Sequence, residues 1–158
     1  MKAAAGRSVQ HGTFTIEREF AFPPARVFAA WAEREAKDRW FGGPSGQWRP
    51  LERQMEFRVG GSERARGQWV NGRVSDFRAQ YHDIVQDRRI VYSYSMHIDD
   101  RKISVSLATI EFEPAGRGTK LILTEQGAFL DGYDDAGSRE RGTGALLVAV
   151  EKSLGGAK

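Results

Sequence analysis

TEQGAFLDGYDDAGSRERGTGALLVAVEKSL, residues 124–154, is the stretch that decides the fold. It opens as an extended segment and breaks at Gly127, Asp131 and Gly132. It then sets Thr143, Leu147, Val150 and Leu154, with Leu146 beside them, on one helical face. Everything before it, one short helical region near residue 30 excepted, reads as β-strand. A lone apolar helical stripe among strands must be buried against a sheet, so this helix organises the chain. Gly142 and Gly144 complicate its start, because a glycine in a helix interior costs about 0.8–1 kcal/mol relative to alanine. Either the first turns cross the open end of the sheet, where small residues leave room, or residues 134–141 are irregular and the helix begins near Thr143.

Composition narrows the classes. With 158 residues, 40% of them apolar, the chain suits one domain with a single core and no need of staples. It has no cysteine, which excludes disulfides, Cys-ligated zinc, thiolate nucleophiles and iron–sulfur clusters. The first residues, MKAAAGRSVQHG, hold no apolar run of signal-peptide length, and no segment approaches about 18 consecutive apolar residues. A soluble, cytoplasmic protein is the expectation. Net charge is +3, and arginines alternate with acids in Glu17-Arg18-Glu19 and Glu33-Arg34-Glu35, the pattern of a solvated surface rather than a nucleic-acid stripe.

Residues 1–11 read as a disordered tail, and 12–155 as one domain. Residues 13–22 alternate Phe14, Ile16, Phe20 and Phe22 against polar neighbours, as a half-buried strand does. Pro23-Pro24 ends it, and Pro24 suits the first turn of a helix carrying Val27, Phe28 and Trp31. A second short helix is expected over 33–40. The loop from Trp40-Phe41-Gly42-Gly43-Pro44 to Pro50, with Trp48 in it, is a candidate lid or rim. From residue 51 to 126 turn signals recur every 8–14 residues with no helical interruption, so the strands are antiparallel, at 51–59, 63–70, 76–86, 89–98, 103–113 and 118–126.

Strand parity then assigns faces. Leu121, Leu123 and Glu125 share the face toward the helix. So do Ile90, Tyr92, Tyr94 and Met96; Phe77, Ala79 and Tyr81; Arg53, Met55, Phe57 and Val59; and Trp69. That face carries tyrosine hydroxyls and a carboxylate, which need partners or water once buried.

Strand, two short helices, six antiparallel strands and a long last helix resemble the α+β helix-grip fold of START-like (SRPBCC) proteins, in which a curved sheet wraps the final helix. Within that superfamily the sequence is similar to the bacterial single-domain relatives of the C-terminal domain of Aha1, the activator of Hsp90 ATPase. The matching stretches are Phe22-Pro23 before Val27-Phe28-Ala29-Ala30-Trp31, Trp40-Phe41-Gly42-Gly43, Phe57-Arg58-Val59-Gly60-Gly61, Gly118-Thr119-Lys120-Leu121, Thr124-Glu125-Gln126-Gly127, Arg139-Glu140-Arg141-Gly142 and Leu146-Leu147. They cover nearly all of 13–154. Many relatives place a tryptophan near Gly142, where this chain has Thr143. The resemblance implies the fold; for function it admits lipid and hormone binders, aromatic polyketide cyclases and a chaperone-linked stress role.

Catalytic patterns are scarce. His11 falls in the tail, His82 and His97 fall on the opposite face, and no phosphate-binding glycine motif or metal-ligand spacing appears. No cofactor and no metal are expected. Glu125 is the best polar candidate, as acid, base or ligand anchor, unless it simply pairs with an arginine such as Arg53 or bonds to backbone. The leading expectation is a binding module that encloses a small hydrophobic or aromatic ligand between sheet and last helix, lined by Trp40, Phe57, Trp69, Tyr81, Tyr92, Tyr94, Glu125, Thr143 and Leu147. Trp31 and Phe28 read as plain core. A cyclase or hydrolase using Glu125 with tyrosine hydroxyls, and an Hsp90-linked chaperone partner, are the alternatives.

Overall fold

A computed structural model describes residues 7–44 and 46–155. Seven strands are present: β1 Val9–Phe20, β2 Trp48–Met55, β3 Ser62–Trp69, β4 Val74–Val85, β5 Arg89–Ile98, β6 Arg101–Ala115 and β7 Gly118–Leu130. The helices are α1 Pro24–Ala32, α2 Arg34–Asp38 and α3 Ala136–Gly155. The strands form one curved antiparallel sheet in the order β1-β7-β6-β5-β4-β3-β2, the expected helix-grip architecture. Since β1 and β2 are its opposite edges, the chain between them must cross the face of the sheet, and α1 and α2 lie in that crossing. Irregularities at Pro50/Glu52, Tyr81/Asp83 and Met96/His97 shift the register, the device by which strands bend and twist. Asp99 and Asp100 both take positive φ, 51° and 70°, as a two-residue hairpin loop between right-twisted strands requires.

The core is aromatic. Phe28 meets Phe112 edge-on at 5.4 Å between ring centroids, Trp31 lies 4.9 Å from Trp40, and the Trp40 indole donates to the Ala30 carbonyl at 3.0 Å. Leu147, Val150 and Leu154 of α3 are buried against this cluster, so the apolar stripe read from the sequence is the buried one. Thus the C-terminal half of α3 is anchored in the core, while its N-terminal half stands over the sheet.

Several boundaries differ from expectation. Residues 9–11, expected in a tail, belong to β1 and pair with residues 128–130; residues 1–6 lie outside the described part. Trp48, expected in a loop, opens β2. Val59, expected to face inward, is 57% exposed because β2 ends at Met55 and parity has no meaning beyond the strand. The last helix begins at Ala136, so residues 136–141 are helical and Gly142 and Gly144 are interior. Asp135 caps it, its carboxylate accepting the Ser138 amide at 2.8 Å. No helix among the described residues is long and apolar enough to cross a membrane.

Candidate functional site

Where the N-terminal half of α3 leaves the sheet, a partly open cavity of about 640 Å³ remains. Its sheet wall is Trp69 from β3, Phe77 from β4, Tyr92, Tyr94 and Met96 from β5, and Leu123 and Glu125 from β7. Opposite stand Gly142, Thr143, Leu146 and Leu147, and the 40–44 loop forms the rim. A hollow of about 410 Å³ shares Phe41, Trp69, Phe77 and Met96 with it and extends the same space toward Ile98 and Ile103. The rim is built on close approach: Gly42 takes φ 100°, and a Cβ on Gly43 would stand 2.7 Å from Trp48 and 2.8 Å from Trp69. The Trp48 and Trp69 indoles both reach the Ser75 hydroxyl, at 3.3 and 3.2 Å.

Two buried polar clusters flank the aromatic wall. In the first, Arg139 in the first turn of α3 donates through Nη1 to the Tyr94 hydroxyl (2.7 Å) and Glu125 Oε2 (3.1 Å), and through Nη2 to Ser104 Oγ (2.7 Å) and Asp134 Oδ2 (3.0 Å). Tyr94 in turn donates to Glu125 Oε2 at 2.7 Å. Burial lowers the affinity of Arg139 for its proton, but Tyr94, Glu125 and Asp134 more than offset this, so it stays charged. Burial also pushes the Tyr94 phenol far up.

In the second cluster Lys37 of α2 holds Glu63 Oε1 at 2.7 Å, Arg53 Nη1 stands 2.9 Å from Glu63 Oε2, and the Tyr81 hydroxyl donates to Glu63 Oε1. Arg53 also binds Asp38 Oδ1 at 2.8 Å. Desolvation alone would raise the Glu63 carboxyl, but the Lys37 charge and the donors around it hold it below its ordinary value. For Lys37, burial prevails and lowers its proton affinity. The Lys37 ammonium lies 4.5 Å from the Phe41 ring centroid, which ties the rim to this cluster.

Of the residues expected at the site, Trp40, Trp69, Tyr92, Tyr94, Glu125, Thr143 and Leu147 line the cavity. Phe57 and Tyr81 do not: Phe57 packs edge-on between Phe28 (5.8 Å) and Tyr81 (5.0 Å), and the Tyr81 hydroxyl is spent on Glu63. Parity put Tyr81 on the correct face, Phe57 lies past the end of β2 where parity no longer applies, and α1 fills that part of the face. The partner of Glu125 is Arg139, not Arg53. Trp31, read as core, is buried and also borders the cavity. His11 pairs within β1, and neither His82, bonded to Ser93, nor His97 lines the cavity. Arg139, Lys37 and Glu63 were missed, and only Arg139, in a stretch matched to the family, left a signal in the sequence. Among the described residues no group of three His, Asp or Glu is placed to hold a metal ion.

The family model described as activator of Hsp90 ATPase homolog 1-like protein matches residues 21–152. Among solved structures, a protein of Rhizobium leguminosarum is 44% identical, with a TM-score of 0.88 over 94% of this chain and 97% of that one. A protein of Rhizobium loti is 46% identical, TM-score 0.85, over 92% and 99%. The AHSA1-like protein of Aeromonas hydrophila, 18% identical with TM-score 0.70 over 92% and 94%, shares the fold. No curated protein matches.

Proposed function

Because the chain belongs to the activator of Hsp90 ATPase homolog 1-like family, we propose that it serves as a binding module for a small hydrophobic or aromatic ligand held between the sheet and the N-terminal half of α3. One observation carries the reading: α3 keeps its helix through Gly142 at an energetic cost, and there it borders a cavity of about 640 Å³ walled by aromatic side chains. A helix shaped only for packing would place large apolar residues at that point. Glu125 suits the cyclase or hydrolase alternative less well than a free carboxylate would, since Tyr94 and Arg139 both donate to its Oε2. The chaperone reading rests on the family description.

The test is native mass spectrometry of the purified protein with titration of the uncharged dye N-phenyl-1-naphthylamine. A co-purifying small molecule, or saturable fluorescence of that dye displaced by an apolar competitor, supports the module. Absence of both, with capture of an Hsp90 homologue instead, gives the chaperone reading precedence.

A further inference from the structure

We infer that the cavity selects an uncharged ligand whose carbonyl or other acceptor atom is read by the Tyr92 hydroxyl. This rests on the binding reading above and specifies its chemistry. Both terminal nitrogens of Arg139 are occupied, each by two acceptors, and its single charge faces the two carboxylates of Glu125 and Asp134. Lys37 is turned to Glu63 at 2.7 Å. Among the described residues no buried cation of the cavity wall is left unpaired for an anionic ligand, and an anion beside Glu125 would meet like charge. Arg39 and Lys152 also border the cavity, but they are exposed, where water and salt weaken their pull.

What remains for a ligand is different in kind. The Tyr92 hydroxyl has no hydrogen-bond partner among the described residues, although the side chain lines the cavity between the two polar clusters, 5.9 Å from the Tyr94 ring and 6.2 Å from the Tyr81 ring. Trp31, 4% exposed, likewise lines the cavity with no acceptor for its indole N–H among the described residues. Burial pushes the Tyr92 phenol well above its ordinary value, so it is a neutral donor at any physiological pH. A half-buried donor that faces the cavity without a protein partner favours an acceptor that arrives with the ligand, and a site built so disfavours an analogue lacking that atom.

Three probes of nearly one shape separate the possibilities: phenyl 2-naphthyl ketone, its methylene analogue 2-benzylnaphthalene, and 6-benzyl-2-naphthoate, each titrated against the fluorescence of the wall tryptophans. The ketone should bind the parent about five- to ten-fold tighter than the methylene analogue, the worth of one neutral hydrogen bond, and the naphthoate weakest. Tyr92→Phe, checked for an unchanged fold by circular dichroism, should bring the ketone to the level of the methylene analogue. A ketone preference that survives in Tyr92→Phe, equal binding of ketone and methylene analogue by the parent, or tightest binding of the naphthoate overturns the inference and leaves the module standing. If none of the three binds, the module falls with it.

Discussion

Arg139, in the first turn of α3, is joined to Glu125 on β7 at 3.1 Å, and the same nitrogen holds Tyr94 on β5 at 2.7 Å. The open half of the last helix is therefore tied to the sheet by charge, the closed half by apolar packing at Leu147, Val150 and Leu154. Removing one partner of a buried pair leaves the other unpaired, which costs about 3–5 kcal/mol. Arg139→Met, which strands Glu125 and Asp134, should lose stability on that scale in urea unfolding. Glu125→Gln keeps an oxygen for Tyr94 and Arg139 and should lose about 1–2 kcal/mol. Losses below about 0.5 kcal/mol in both variants would show that the pair does not hold the helix.

Glu63 gives an acid-sensitive contribution. Its folded carboxyl titrates below the ordinary value of 4.5, with Lys37, Tyr81 and Arg53 outweighing desolvation. Below 4.5 the unfolded chain therefore takes up this proton first. The stability from Glu63 is complete above 4.5 and is lost as pH falls through the lower, folded value. Between pH 6 and pH 3 the urea midpoint of the parent should fall more steeply than that of Glu63→Gln. Asp76, also depressed despite its own desolvation by the Arg64 and Arg78 contacts, lends both proteins a common slope. Parallel curves would remove Glu63 from the account.

How much of this is legible in the sequence depends on the range of the interaction. Leu121, Leu123 and Glu125 are assigned to one face by parity alone, and the stripe of Leu147, Val150 and Leu154 by helical spacing; both are buried. Such patterns repeat every two or three to four residues and survive in one dimension. The Lys37–Glu63 pair joins positions 26 apart across a helix and a strand edge, and no local pattern announces it. Tyr81 shows the same limit, since parity gives the face but not which neighbour covers it, and Phe57 lies past the end of β2. The start of α3 stays open in the sequence, because Gly142 and Gly144 fit either side of a helix start, and the Asp135 carboxylate that caps the Ser138 amide places both inside the helix.

The anchored half of α3 is tested by a pair of substitutions two residues apart. Val150 is fully buried, whereas Val148 is 38% exposed. Val150→Asp places an unpaired charge in the core and should cost about 4 kcal/mol or more, read as a fall in melting temperature. Val148→Asp should stay within about 0.5 kcal/mol of the parent, as surface changes do. Similar melting temperatures for the two would mean that the helix does not present the face described.

The open half is tested by filling it. A Cβ built on Gly142 or Gly144 meets nothing within 4 Å, and Thr143 between them lines the cavity. It is the position of Thr143 on the cavity wall, rather than the open surroundings of the two glycines, that gives a larger side chain room to enter. Thr143→Trp should place an indole over the aromatic wall, leave the melting temperature unchanged or raise it, and sharply reduce uptake of the uncharged dye N-phenyl-1-naphthylamine. Gly144→Ala is the control: residue 144 does not line the cavity, and the gain in helix propensity should add about 0.5–1 kcal/mol with uptake intact. Together the two separate a helix that merely tolerates glycines from one that keeps them for room. If Thr143→Trp binds N-phenyl-1-naphthylamine as well as the parent does, Thr143 does not border the site, and the bound probe must lie deeper, toward Ile98 and Ile103, where the second hollow continues.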